Sequence, residues 1–398
     1  MYVWPEPESS AAGVRTYALI EALRTHGYSL AAISPSQASP WSERLNSMGV
    51  ETFTCDPNRS EGTELVLQKL NPSLAVYDRF VMEEQFGWRA RTAWPRALHL
   101  VDTQDLHSLR RARERLLARG KSGKELEHPS VRDMGEDLLR ELASLYRADA
   151  ALVVSRFEQQ LLFGLGFPAS RLLHLPFPTL ADSHPRPFGE RAGLAFLGNY
   201  RHPPNLDGAR WLISELWPRI REALPRAELH LYGSYPPAEI SRHKGEQGIF
   251  AHGPVQDHRT ALARHRALLA PLRFGAGIKG KVLEAFGTGT PVVGTATAFE
   301  GIGHEGLVAA DAKSFVEASA AVHVEETLWH KQSVAGLAFA RERLDSAHLA
   351  SIFLKFVEEK GLSLESLREQ NLTGSMLRHH QANGTKYFSR WIETKNRR

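Results

Sequence analysis

Two lysines, three glycines and a glutamate fall close together in GAGIKGKVLE, residues 275–284. Gly275, Gly277 and Gly280 allow a backbone to approach a ligand closely. Amides at a helix N-terminus, joined by Lys279 and Lys281, make a site for an anion. Glu284 stands one helical turn beyond Lys281, so it meets the same end of the ligand. Its carboxylate can accept the two hydroxyls of a ribose while the lysines hold phosphates. Residue types and spacing therefore suit a nucleoside diphosphate. The bland alternative is a glycine-rich turn with solvated lysines and an i, i+3 ion pair.

The same stretch matches the phosphate-loop pattern G-x-x-x-x-G-K. That loop needs Ser or Thr after its lysine to bind Mg²⁺, and Val282 stands there. At least three strands of the same half precede it, whereas a phosphate loop normally follows its domain's first strand. LVAAD, ending in Asp311, is too common a pattern in α/β proteins to serve as a Walker B strand. The reading as a P-loop ATPase or GTPase is set aside.

The loop lies in a chain whose apolar runs alternate with amphipathic stretches. MYVW, SLAAIS, SLAVYD, ALHLVD and ALVVS read as strands in the first half, and LAFLG, ELHLYG, ALLAPL and PVVGT in the second. Several are apolar throughout, as in parallel sheets covered on both faces. Residues 12–26 read as a helix with Val14, Ala18, Leu19, Ala22 and Leu23 inward and Gly27 at its end. Residues 205–216 read as another, with Asn205 as N-cap. The alternation implies an α/β protein. Its 398 residues favour two domains. The proline-rich stretch PFPTLADSHPRPFGE, 176–190, marks the break between them. Residues 118–133 read as a charged, mobile loop. The MYVW strand is so short before Pro5 that it reads as clipped at an internal start.

The single cysteine, Cys55, permits neither an internal disulfide nor a cysteine metal cluster, which fits a reducing cytoplasm. MYVWPEPESS lacks the basic and apolar regions of a signal peptide. No apolar run has the length of a membrane span. The net charge of +4 fits an anionic ligand or a membrane surface without implying nucleic acid.

The neighbours of the glycine loop carry a resemblance. PLRFGAGIKGKVLEAFGTGTPVVGTATAFEGI, 271–302, closely resembles the donor-binding segment of glycosyltransferases of the GT-B fold, family 4 type (group 1). Its pieces are the loop, K-x-x-E with Lys281 and Glu284, G-x-PVV with Gly289 and Pro291, and EG with Glu300 and Gly301. FLGNYRHPPNLDGARWL, 196–212, resembles the opening of that family's second domain, with Gly198 and Arg201 matching its glycine and diphosphate-reaching basic residue. WPEPESSAAGVR, 4–15, resembles the glycine-bearing first loop of the first domain, here with Gly13. VYDRF, LVDTQDLHSLR and ALVVSRFEQQLL follow in the expected order. The resemblance covers residues 1–360, strongest in the second half. It departs at Ala276, where many members carry the first glutamate of E-x7-E near the donor sugar. Loop amides of Gly277 and Ile278 are then candidates for part of that work.

The resemblance implies two Rossmann-like domains with parallel sheets facing a central cleft. Residues 1–178 form the acceptor-side domain, 179–190 the linker, and 191–343 the nucleotide-sugar domain. Residues 344–360 form a helix crossing back, with Leu349, Ile352, Phe353 and Phe356 as its apolar face, and 361–398 a basic tail. It also implies transfer with retention from a nucleoside-diphosphate sugar. Arg201, Lys279 and Lys281 stabilise the leaving phosphate, so that no metal or other cofactor is expected. Gly253 and Val255 grip the base through the backbone. Glu300 touches the sugar or ribose side, or is only a helix N-terminal charge. Asp105 and His107 follow the strand ALHLV, where ligands gather in open α/β sheets. They orient acceptor or sugar, or merely cap the next helix. The acceptor is a glycan or a lipid-linked molecule. The basic run HSLRRARERLLARGKSGK and the tail from Arg378 to Arg398, with Tyr387, Phe388 and Trp391 interleaved, could rest on anionic lipid at the inner membrane face. Solvated helix surface is the alternative. A nucleotide-sugar epimerase or hydrolase of the same fold and a non-catalytic nucleotide-sugar-binding module are the rival functions.

Overall fold

The computed structural model describes residues 1–303 and 306–396. Two parallel-sheet units face each other. In the first, β1 (Leu30–Ser34) pairs with β2 (Val50–Thr54). Beside them β3 (Leu74–Asp78), β4 (Leu98–Asp102), β5 (Ala150–Val153) and β6 (Leu172–His174) run in that order. The second unit holds β7 (Leu194–Leu197), β8 (Leu229–Tyr232), β9 (Ile249–Gly253), β10 (Ala267–Ala270), β11 (Val292–Thr295) and β12 (Leu307–Ala309), in the order β12-β11-β10-β7-β8-β9. Every ladder between these strands is parallel. The strand order of the second sheet reverses between β7 and β10, the kind of switch point where open α/β sheets bind ligands beyond their carboxyl ends.

β4, β5, β7 and β10 are buried along their whole length, which explains why β5, β7 and β10 read as unbroken apolar runs; β4 also buries His99 and Asp102. MYVW forms no strand. The segment is instead held by Trp4, which is buried with Ile20, Ala32, Leu45 and Val50 and donates its indole N–H to the Gln37 carbonyl at 2.8 Å. Pro5, lacking an N–H, could not extend a ladder.

The first helix, Ala11–Thr25, begins at Ser10, whose hydroxyl accepts from the Gly13 amide. Its inward face differs from the expected one. Arg15 is buried beside Ala22 and Leu23, because its Nε lies 2.9 Å from both Asp102 oxygens and Nη1 donates to the Leu175 carbonyl. Val14, Ala18 and Leu19 are only half-buried. The helix expected from Asn205 starts earlier, at Pro203, with His202 in the cap position. Proline is preorganised for a first helical turn, and this frees Asn205 for the site.

Helix Ser346–Leu362 lies against the first unit, packing Leu349, Phe353, Phe356 and Val357 on Leu98, Leu100 and Leu152. Ile352 is half-buried at the edge of this contact. The basic tail forms helices Leu364–Glu369 and Leu372–Asn396, and its Arg398 lies outside the described residues. Hydrogen bonds from Asn371, Arg378 and Gln381 tie the second of these to the first unit. The stretch 118–133 is likewise pinned: it contains the turn Lys124–Glu127, and the carbonyls of Leu126 and Glu127 accept from Arg113. Polar anchors leave no apolar period, so neither segment announced its order in the sequence.

Candidate active site

On the second unit, β10 runs into the loop 271–279 and then into helix Gly280–Gly287. Lys279 is in the cap position and 8% exposed, its Nζ donating to the Gly277 carbonyl at 2.9 Å. Lys281 reaches back to Asn205, Nζ to Oδ1 2.8 Å, and stands 4.7 Å over the Phe196 ring. Burial lowers both lysines, Lys281 to about 7 despite the opposing pull of Glu284. Burial also pushes the Glu284 carboxyl up to about 7. Its Oε2 has no hydrogen-bond partner, with His258 Nδ1 3.7 Å away. Buried groups of this kind are costly unless paired; here a ligand carrying phosphates and hydroxyls would pair them.

Gly198 ends β7 at the same place. A Cβ there would come within 2.8 Å of the Asn205 side chain, so glycine lets strand end and helix start meet. Arg201 is exposed, its guanidinium 3.6 Å from the Tyr235 ring centroid, and it points its charge at the rim of the cavity.

On the first unit, the chain leaving β4 bends through Gln104, at φ +62°. Asp105 Oδ2 accepts from Arg110 Nε at 2.6 Å, and Oδ1 lies 3.3 Å from His107 Nε2. Burial works against the Asp105 charge, yet Arg110 and His107 outweigh it and hold the carboxyl well below its usual range. Neither Asp105 nor His107 caps the following helix. Glu141 does, accepting from the amides of His107 and Ser108. Both are therefore free to line the cavity.

The two halves enclose a cavity of about 570 Å³ that Gly198, Arg201, Ile278, Lys279, Lys281, Glu284, Asp105 and His107 all line. That size lies within the range of small-ligand sites. A second cavity of about 370 Å³ opens beyond Glu284, between Gln256, His258, Leu283 and Phe177.

Five expected residues are placed elsewhere. Glu300 is turned away from the cavity into an ion pair with Arg113, Oε2 to Nη2 2.6 Å. The Gly277 amide already donates to Glu158 Oε1 at 2.8 Å, so it is not offered to a ligand. Gly253 and Val255 line neither cavity; Gly253 turns at φ +73° and its carbonyl accepts from Gly233. Gly13 gives its amide to Ser10 and lies under the Glu6 backbone, which a Cβ would strike at 2.4 Å; it borders a side pocket with Arg79 and Arg201 rather than the main cavity.

Sequence reading missed Asn199, which fixes the Arg201 amide at 2.9 Å and reaches Ser9 of the other unit, together with Asn205, Arg110 and His258. Polar residues in GNYRHPPN, immediately after β7, were the available signal. The units meet in a closed arrangement. Arg113 donates to the Gly275 carbonyl at 2.7 Å, and Glu158 bridges the Leu106 and Gly277 amides.

Residues 191–323 match the family described as glycosyl transferases, group 1. No curated protein matches the chain in sequence. Among solved structures, HepE of Anabaena in complex with UDP-glucose is 11% identical with a TM-score of 0.67, over 90% of this chain and 98% of that one. Sucrose-phosphate synthase of Thermosynechococcus elongatus is 15% identical with a TM-score of 0.62, over 87% and 92%. TarM of S. aureus, solved with UDP, fondaparinux and α-GlcNAc-glycerol, is 10% identical with a TM-score of 0.55; the match covers 74% of this chain but only 58% of TarM. The match to the group 1 glycosyltransferases thus covers the second domain, and the chain as a whole shares the GT-B fold of these solved structures.

Proposed function

We propose that the protein transfers a sugar from a nucleoside-diphosphate sugar to a glycan or lipid-linked acceptor, with retention of configuration and without a metal. The observation that carries this reading is the trio Lys279, Lys281 and Glu284 on one helix start, facing Asp105 and His107 across the cavity. The lysines take the diphosphate and Glu284 the ribose hydroxyls. The bond from the anomeric carbon to the phosphate oxygen breaks, and its electron pair leaves with the phosphate. Lys279, Lys281, Arg201 and the helix-end amides stabilise that growing charge more than they stabilise the ground state. The acceptor oxygen joins the anomeric carbon on the face the phosphate is leaving, and the departing phosphate takes the acceptor proton. Asp105, kept ionised by Arg110 and His107, orients a hydroxyl of sugar or acceptor. The N–H of Gly277 being committed to Glu158, the Ile278 side of the loop contacts the sugar.

HepE and TarM were solved with UDP, so UDP is the first nucleotide to try. Thermal unfolding of the full chain against UDP, GDP, ADP, CMP, ATP with Mg²⁺ and their sugar conjugates tests the reading. A ligand at a hundred times its dissociation constant stabilises by about 2.7 kcal/mol. A metal-independent shift with one diphosphate, followed by acceptor-dependent turnover of its sugar conjugate, is the expected result. A shift with ATP and Mg²⁺ alone would restore the phosphate-loop reading. Turnover without an acceptor would make the protein an epimerase or hydrolase.

A further inference from the structure

The two basic segments of the chain meet different fates. In helix His107–Ala118, Arg110 pairs with Asp105, Arg111 with Asp137, and Arg113 with Glu300, while Arg115 donates to the Asp133 carbonyl. That run is consumed inside the molecule. The last helix, Leu372–Asn396, is different. Asn371, Arg378 and Gln381 anchor its first part to the first unit. Beyond them Tyr387, Phe388 and Trp391 are each more than half exposed. Phe388 and Trp391 stack at 5.8 Å, and Lys395 stands 5.2 Å over Trp391. Met376 and Leu372, nearer the anchored end, are also exposed. Within 372–398 the sequence supplies Arg378, Lys386, Arg390, Lys395, Arg397 and Arg398 against one carboxylate, Glu393.

The helix also has a direction. Asn371 bonds the Tyr146 carbonyl, near the end of helix Val131–Arg147 that leads into the start of β5. Gln381 bonds the Glu84 carbonyl, in the first turns of helix Phe80–Ala93, just after Arg79 at the cavity rim. The helix therefore climbs toward the cleft end of the first unit. Residues 382–396 carry it about 20 Å further at the usual rise.

We propose that the end carrying the exposed Tyr387, Phe388 and Trp391 is a docking element for an anionic bilayer, which seats the cleft mouth at the membrane surface. Tyr and Trp favour the headgroup level, where one side of the ring is wet, and clustered Lys and Arg are drawn to anionic lipid. A second copy of the chain fits less well, since a symmetric contact would set the same cations against themselves. Among the described residues no helix is long and apolar enough to cross a membrane, so the contact would be peripheral. The proposal stands independently of the transferase reading.

The test is co-sedimentation of the full chain with vesicles of phosphatidylcholine alone or mixed with phosphatidylglycerol. The parent should bind the mixed vesicles only, and less so at high salt. The triple variant Tyr387→Ser, Phe388→Ser, Trp391→Ser should partition at least tenfold less, as should Lys386→Glu with Arg390→Glu and Lys395→Glu. Thermal unfolding of both variants should be unchanged. A control, Lys121→Glu with Lys124→Glu on the pinned loop, should bind like the parent. Equal partition to neutral vesicles, no binding to anionic ones, or binding indifferent to both variants would overturn the proposal. So would a dimer that the aromatic variant dissolves, which would make the face a self-interface.

Discussion

Arg113 and Glu300 form a two-pronged ion pair between units, Nη1 to Oε1 2.8 Å and Nη2 to Oε2 2.6 Å, while the same guanidinium bonds the Gly275 carbonyl of the donor loop. The arginine is almost wholly buried, so its removal leaves a carboxylate without its partner. Breaking a buried pair from one side costs about 3–5 kcal/mol. Arg113→Met should lower stability by that order, while Arg113→Met with Glu300→Gln should recover part of it. A double-mutant cycle by denaturant unfolding checks this, and additive losses would show that the pair is not coupled.

Gly277 carries a second contact between the units. It sits at φ +63°, and a Cβ there would come 2.9 Å from Asp105 Cβ and 3.1 Å from the Gln104 carbonyl. Gly277→Ala should cost about 1–3 kcal/mol from backbone strain and, beyond that, push the donor loop off the first unit. Gly120→Ala is the control: φ is +75° with nothing within 4 Å of the added atom. Weaker binding of the diphosphate found in the ligand panel by Gly277→Ala, but not by Gly120→Ala, is the expected difference. Equal behaviour would reduce the position to backbone conformation.

What could be read from the sequence was what is local. The apolar runs of β5, β7 and β10 are unbroken because both faces are covered, and periodicity reports that directly. GAGIKGKVLE holds its own chemistry within three turns of chain, so Lys279, Lys281 and Glu284 were found where the cavity is. The rest depends on partners distant in sequence. Arg15 looked like the polar side of a helix until Asp102 met it, and Arg113 looked like solvated surface until Glu300 did. Glu300 itself was attached to the ligand by its neighbourhood in the motif, although its carboxylate is spent on the other unit. Asn205 resembled a helix cap because Asn is a favoured cap residue, whereas the prolines just before it had already started the helix at Pro203.

Lys281 and Glu284 set opposite limbs of a pH profile. Burial lowers Lys281 to about 7 and raises Glu284 to about 7. Above that pH the empty site holds a neutral lysine, and a diphosphate must restore its proton, so affinity falls as pH rises. Below it Glu284 is protonated and accepts ribose hydroxyls less well, so affinity falls as pH drops. Binding of the nucleotide sugar found by the ligand panel should peak near neutrality. Lys281→Arg, which stays charged, should lose the alkaline limb alone, and Glu284→Gln the acid limb alone. Lys281→Ala should cost most of the affinity at every pH. Calorimetric titration between pH 5.5 and 9, roughly the range in which these shifted groups change charge, would show it; a parent profile that is flat would sink the assignment.

Glu158 gives a prediction about stability rather than binding. Its Oε1 accepts from the Leu106 and Gly277 amides at 2.8 Å each, while Oε2 is buried without a partner. Burial, aided by the nearby charges of Asp105 and Glu300, pushes the carboxyl up to about 8. A raised folded value means that the folded state holds its proton longer than the unfolded chain does. The group's favourable contribution is therefore full below about 4.5, its reference value, declines as pH rises, and is lost once pH passes about 8. Glu158→Gln keeps a carbonyl oxygen for both amides and cannot ionise. The variant should match the parent in melting temperature near pH 4 and exceed it increasingly toward pH 8, with the gap constant above. Scans across that interval decide it. A constant difference would mean that Glu158 is ionised in the folded protein throughout, with the closed contact between the units resting on a buried carboxylate instead of a carboxylic acid.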